Sequence, residues 1–284
     1  MSGTVAAARI DAHQHFWRLS RGDYGWLTPA LAPIHRDFGP GDLRPLLAPH
    51  NITATILVQA APTEAETEFL LQLARGDELV AGVVGWTDLE DADAPRRIAE
   101  LAADPLLVGL RPMVHDIPDD DWLLRPALAP ALAAMARHGL VFDALLRPRH
   151  FPHLLPLLDR HPGLSVVLDH GGKPAIAEGA SGWAEALAEL ARHPNLCCKL
   201  SGLATEAPAD WDIETLRPYA AEILRCFGPE RVMWGSDWPV VNLAGGYAKW
   251  RAAAEALVPE AARGAVFGGT AARIYLSGRG RPPC

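Results

Sequence analysis

The chain has 284 residues, 49% of them apolar and 21% charged, which gives a full hydrophobic core and excludes a disordered chain. Lys and Arg total 26 against 34 acids, a formal net charge of −8; a general nucleic-acid or anionic-membrane binder needs the opposite balance. No run approaches the roughly 18 consecutive apolar residues of a membrane span, and the first eight residues, MSGTVAAA, have neither the basic nor the apolar region of a secretory signal, so a soluble cytoplasmic protein acting on a small molecule is expected.

The first predicted strand, 9–15 (RIDAHQH), ends in the sharpest motif of the sequence. Residues i and i+2 of a strand face the same way, about 6.6 Å apart. His13 and His15 therefore present both imidazoles to one side, where they can grip a metal ion or an oxyanion; a chance pair on an exposed loop is the competing reading. Asp11 falls on that face by the same alternation and either orients one imidazole or makes a plain structural hydrogen bond. Trp17 follows, with Trp26 on the next loop, indoles that serve either a substrate or the core. The second strand, 53–59 (TATILVQ), ends at Gln59, and a helical pattern covers 64–75 (EAETEFLLQLAR). The third strand is 80–86 (VAGVVGW) and the fourth 106–112 (LLVGLRP). The fourth ends in Arg111, a cation costly to bury alone, which must meet an internal acid or an oxygen-rich or anionic substrate.

A helix at 127–138 (ALAPALAAMARH) leads to the fifth strand, 140–146 (LVFDALL). It carries Asp143, either the acid for Arg111 or a further ligand. His150 and His153, on a helix-like stretch with proline, are read as surface residues. The sixth strand, 165–170 (SVVLDH), ends in His170 and runs into GGKP. A glycine pair lets backbone approach a ligand closely, and Lys173 either reaches back over the mouth or stays solvated. After a helix at 183–193 (WAEALAELARH), the seventh strand, 196–201 (LCCKLS), ends in Lys199 and Ser201. Its neighbours Cys197 and Cys198 point to opposite sides, a poor disulfide and a poor metal pair; with Cys226 and Cys284 they read as small residues of a reduced protein. The eighth strand, 231–237 (RVMWGSD), ends in Asp237 just before Trp238 and a proline. An inward carboxylate there serves as general base and then acid; its other reading is a helix N-cap. Residues 277–284 (SGRGRPPC) read as a disordered tail.

Eight strands alternating with helices point to a single domain over 1–284, an α/β (β/α)₈ TIM barrel. A doubly wound open sheet is disfavoured because no G-x-G-x-x-G follows the first strand. Catalytic groups of such a barrel stand at the C-terminal ends of its strands, where this chain collects His13, His15, Gln59, Arg111, Asp143, His170, Lys199, Ser201 and Asp237.

In this order DAHQHFW (11–17), LDHGGKP (168–174), CKLSGL (198–203) and GSDWP (235–239) resemble the amidohydrolase superfamily, and within it most closely the L-fuconolactonase and L-rhamnono-lactonase group. The resemblance runs over 9–275. It implies a carbohydrate-metabolising hydrolase that opens a sugar-acid lactone, with His13, His15, His170 and Asp237 catalytic and Arg111 touching substrate. Lys173, Trp17 and Trp238 are the further candidates for substrate contact. Superfamily members with two metals carry a Lys or Glu at the end of the fourth strand and another His on the fifth. This chain has Arg111 and Asp143 there, so the expectation is at most one divalent ion, zinc, held by His13, His15, His170 and Asp237, or catalysis with no metal. The alternatives are a hydrolase of a pyrone-dicarboxylate lactone and a decarboxylase of the same superfamily.

Overall fold

The computed structural model describes residues 9–277, so all but the first residue of the expected tail lies outside the described part. Eight strands run parallel in sequence order: β1 (Arg9–Gln14), β2 (Ile52–Val58), β3 (Val80–Gly85), β4 (Leu107–Leu110), β5 (Val141–Ala144), β6 (Val166–Leu168), β7 (Leu196–Leu200) and β8 (Val232–Trp234). Gln14 pairs in parallel with Trp238, closing β1 against the chain that leaves β8. The fold is the (β/α)₈ barrel that the alternation of strands and helices predicts.

The outer helices form because their apolar residues recur at helical spacing. The helix Glu64–Gly76 buries Glu66, Thr67, Leu70, Leu71 and Ala74 along one stripe. Its N-terminus is capped by the Thr63 hydroxyl, which accepts the Glu66 N–H at 3.1 Å. Strand residues alternate between two cores. Leu57, Val83, Leu110 and Phe142 pack outward against helices, while Ile56, Val84, Val108, Val141, Val167 and Met233 fill the barrel. Tyr275 and Leu276 from the end of the described chain close its floor. Cys197 lies inside the barrel and Cys198 outside, both as free thiols.

Two expectations fail locally. The β1–β2 register shifts between Asp11 and Gln14, a bulge that breaks the period of two. Ala12 belongs to the interior cluster, and its neighbour His13 also reaches the interior Lys199. Asp11 therefore does not share His13's face: its Oδ1 accepts the backbone N–H of Ser236 at 2.8 Å and of His13 at 3.2 Å. His150, expected at the surface, is fully buried. Its Nδ1 accepts the Arg147 N–H at 3.1 Å and ties down the turn before the helix Phe151–Arg160.

Candidate active site

Three strand ends supply the centre of the site. The N–H of Asp237 donates to the His13 carbonyl at 2.8 Å, and that of His15 to the Trp238 carbonyl at 2.7 Å, so the carboxylate and both imidazoles are fixed to one seam. Asp237 Oδ1 lies 3.2 Å from His15 Nε2, 3.7 Å from His13 Nε2 and 3.9 Å from His170 Nε2. Asp237 and His170 have φ of 57° and 56°, left-handed values that cost a non-glycine residue about 1–2 kcal/mol. β6 ends at Leu168 and β8 at Trp234, earlier than the apolar runs suggest, and the turns that follow carry His170 and Asp237 to the mouth. Such strain persists where the surroundings over-determine it, as at functional sites.

Behind these groups lies a buried charge network. Lys199 Nζ stands 2.5 Å from Asp143 Oδ2, 3.0 Å from Asp169 Oδ1 and 3.1 Å from His13 Nδ1. Asp143 Oδ1 accepts the Tyr275 hydroxyl at 2.6 Å. Asp169 Oδ2 meets Arg111 Nη1 at 3.4 Å, an atom also 3.4 Å from His13 Nε2. The internal acid for Arg111 is thus Asp169, one residue before His170, and Asp143 serves Lys199 instead. Arg111 also donates to the carbonyl of Gln59.

Burial would raise the Asp169 carboxyl, but Lys199, His13 and Arg111 reverse this and hold it well below the usual carboxylate range. Asp143 is lifted by burial to about 6. Burial, with Lys199 opposing a second positive charge, pushes His13 well down, and burial does the same for His170; both rings are neutral. Burial acts to raise Asp237 as well, yet the facing rings of His170 and His15, together with Lys173, hold it below its ordinary value. The Asp237 carboxylate is therefore ionised at neutral pH.

His15 Nδ1 lies 2.8 Å from the Val58 carbonyl, which requires a hydrogen on Nδ1. Nε2 then faces Asp237 Oδ1 at 3.2 Å, where a proton or a cation between the two atoms satisfies both. The ligand atoms of His13, His15 and Asp237 lie within 4.8 Å of one another, as do those of His13, Asp169 and His170. Imidazole nitrogens with one carboxylate make a donor set that suits a single zinc ion. The ammonium of Lys199 and the guanidinium of Arg111 flank His13 on both nitrogens and oppose a second cation.

The site opens into a cavity of about 260 Å³ lined by His15, Arg111, His170, Lys173 and Asp237, with Trp26 and His115 on its walls. Lys173 pairs with Glu206. Burial, Lys173 and Arg111 push His115 down to about 3, so it too is a neutral ring. Of the tryptophans, the structure places Trp26 at the cavity, its indole N–H donating to the Ala60 carbonyl at 2.7 Å. Trp17 and Trp238 are not on the wall. Trp17 is buried behind His15, its N–H donated to the Arg36 carbonyl at 2.8 Å. Trp238 is buried against Phe16 and Phe38. Residues this large, next to a barrel mouth, gain more from the core than from solvent. Sequence reasoning passed over Asp169, Glu206, His115 and Tyr275. Only Asp169 had a signal, as an acid next to His170 at the end of an apolar run.

A sequence model of the amidohydrolase family matches residues 10–276. The chain is 49% identical over 276 residues to an L-fucono-1,5-lactonase of Burkholderia ambifaria, covering 94% of this chain and 95% of that protein. It is 39% identical over 292 residues to an L-fucono-1,5-lactonase of Burkholderia multivorans, covering 95% and 97%. A crystal structure of an amidohydrolase from Burkholderia multivorans with bound zinc superposes with a TM-score of 0.89 at 39% identity, over 95% of this chain and 99% of that one.

Proposed function

The chain belongs to the amidohydrolase family, and from that premise we propose that it is a lactonase, opening a sugar-acid lactone of the L-fucono or L-rhamnono kind to the free aldonate. The observation that carries this reading is the convergence of three imidazoles on the Asp237 carboxylate at the floor of a cavity with Arg111 and Lys173 in its wall. The working unit is one barrel domain acting on a small molecule in the cytoplasm. In support, the acid excess repels nucleic acid, and no helix among the described residues is long and apolar enough to cross a membrane.

Asp237, ionised and next to the cavity, removes a proton from water as that water attacks the lactone carbonyl. The new C–O bond places negative charge on the carbonyl oxygen, which the positive field of Arg111 and Lys173 and the neighbouring imidazoles stabilise. The bond to the ring oxygen then breaks, and Asp237 returns its proton to that leaving oxygen. The acid so formed ionises to the aldonate. His13, His15, His170 and Asp237 are the groups that would hold one divalent ion, whose Lewis acidity would polarise the lactone carbonyl. Lys199 and Asp169 fix the orientation and charge of His13 from behind.

A pyrone-dicarboxylate lactone needs two cations free to meet its carboxylates. Arg111 and Lys173 are already paired, to Asp169 and Glu206, and this favours a neutral sugar lactone. The test is acid release, followed with a pH indicator, across L-fucono-, L-rhamnono-, D-galactono- and pyrone-dicarboxylate lactones. The highest kcat/KM is expected for a sugar lactone; a higher value for the pyrone would overturn the assignment.

A further inference from the structure

Beside the catalytic cavity lies a second, larger one of about 590 Å³. The two share Trp26, Met113 and Asp116 in their walls, so these residues stand between them. The second chamber sits over the ends of β1 to β4, the same face of the barrel as the catalytic groups, and adds the indoles of Trp86 and Trp122 to that of Trp26. Its polar lining is one-sided: Asp23, Asp88, Glu90 and Asp116 contribute, and no Lys or Arg does. Much of that charge is spent. Glu90 is held by Arg125 at 2.7 Å and by the Trp122 N–H at 2.7 Å, and Asp23 by Arg21 at 2.6 Å. What the wall offers is indole surface with fixed acceptor oxygens.

That chemistry suits the C–H faces and hydroxyl donors of an uncharged sugar ring, and it is opposite in sign to the Arg111 and Lys173 wall next door. An anionic extension would find carboxylate oxygens and no Lys or Arg in the lining; an apolar one would leave those oxygens facing hydrocarbon. We infer that the second chamber is a subsite for a neutral glycosyl unit attached to the lactone, so that disaccharide-sized glycosyl aldonolactones are better substrates than the corresponding monosaccharide lactones. This inference rests on the lactonase reading and extends it.

The experiment compares kcat/KM for a monosaccharide aldonolactone with that for its 1,3-, 1,4- and 1,6-linked glycosyl derivatives, in wild type and in Trp86→Ala. Trp86 lines only the second chamber. At least one glycosyl lactone is expected to exceed its parent by about tenfold, the effect of one well-formed aromatic contact, with Trp86→Ala removing the advantage and leaving the parent lactone unchanged. Equal or lower values for every derivative, or an equal loss on both substrates in the variant, would overturn the subsite. In parallel, the unreactive glycosyl aldonates and the parent aldonate are titrated calorimetrically against both proteins. Should no lactone be hydrolysed, the lactonase reading fails and the titration decides the chamber by itself. Tighter binding of a glycosyl aldonate, lost in Trp86→Ala, supports the subsite, and indistinguishable affinities refute it.

Discussion

The Asp237 amide donates to the His13 carbonyl at 2.8 Å, so these two residues of the site share a backbone hydrogen bond across the barrel seam. Asp11 reinforces the same seam by accepting the N–H groups of His13 and Ser236 on one oxygen. The backbone spacing between Asp237 and His13 is thus set by main-chain hydrogen bonds.

Replacing Asp237 tests the proton shuttle. Asp237→Asn keeps the shape but cannot take a proton, and kcat is expected to fall by about 10³ or more with the fold intact by circular dichroism. A variant retaining over about a tenth of wild-type kcat removes Asp237 from the mechanism.

Metal content follows from the cations around His13. With Lys199 Nζ 3.1 Å from its Nδ1 and Arg111 Nη1 3.4 Å from its Nε2, a second divalent ion would sit against two fixed positive charges. Elemental analysis is expected to give no more than one equivalent of zinc per chain, and His15→Ala to lower that occupancy. Two tightly held ions per chain would contradict this account.

Glu66 gives stability a pH dependence. Its carboxylate accepts the N–H groups of Ala60 and Ala61, but burial dominates and raises it from 4.5 to about 7. A raised carboxyl is protonated in the fold and ionised in the unfolded chain between those values. Its contribution is therefore fully present below the lower one and lost as pH rises through the upper, a change of roughly 3 kcal/mol. Neutral buried histidines act with the opposite sign, so the informative quantity is the Tm of wild type minus that of Glu66→Gln. That difference is expected to fall as the buffer is taken from mildly acidic to mildly alkaline, and a constant difference would show that Glu66 does not titrate with folding.

Gly202 is the backrest of His170. It has φ of +63°, and a Cβ placed there would lie 2.6 Å from the Cγ and Nδ1 of His170. Gly202→Ala must push the ring off Ser201 Oγ, now 2.9 Å from Nδ1. A displacement of that order is expected to cost about 10² in kcat, with KM changing less; steady-state kinetics on the fastest lactone measure it.

The barrel was legible because each strand is a short apolar run and each helix has its own period. Likewise, the polar residues at strand ends stand out against branched neighbours, and among them the family resemblance singled out His13, His15, His170 and Asp237. What the sequence conceals is direction. A bulge at the end of β1 turns Asp11 away from the histidines it seems to accompany, and nothing in RIDAHQH announces it. Whether Asp143 or Asp169 would meet Arg111 depended on strand stagger, which residue spacing within one strand does not encode. Trp17 and Trp238 lie close in sequence to the catalytic motifs, but their area drives them into the core. Tyr275 reaches Asp143 from the barrel floor, across 132 positions of chain.

The seam that fixes the base also dates it. Asp11 and Ser236 are 225 positions apart, and contacts of such separation pay their loop-closure entropy before they return anything. A growing chain that has made seven strands owns the two histidines of β1 but lacks both their carboxylate and the strand that closes the ring. The meeting of the two histidines with Asp237 consequently depends on the contact between the first strand and the last.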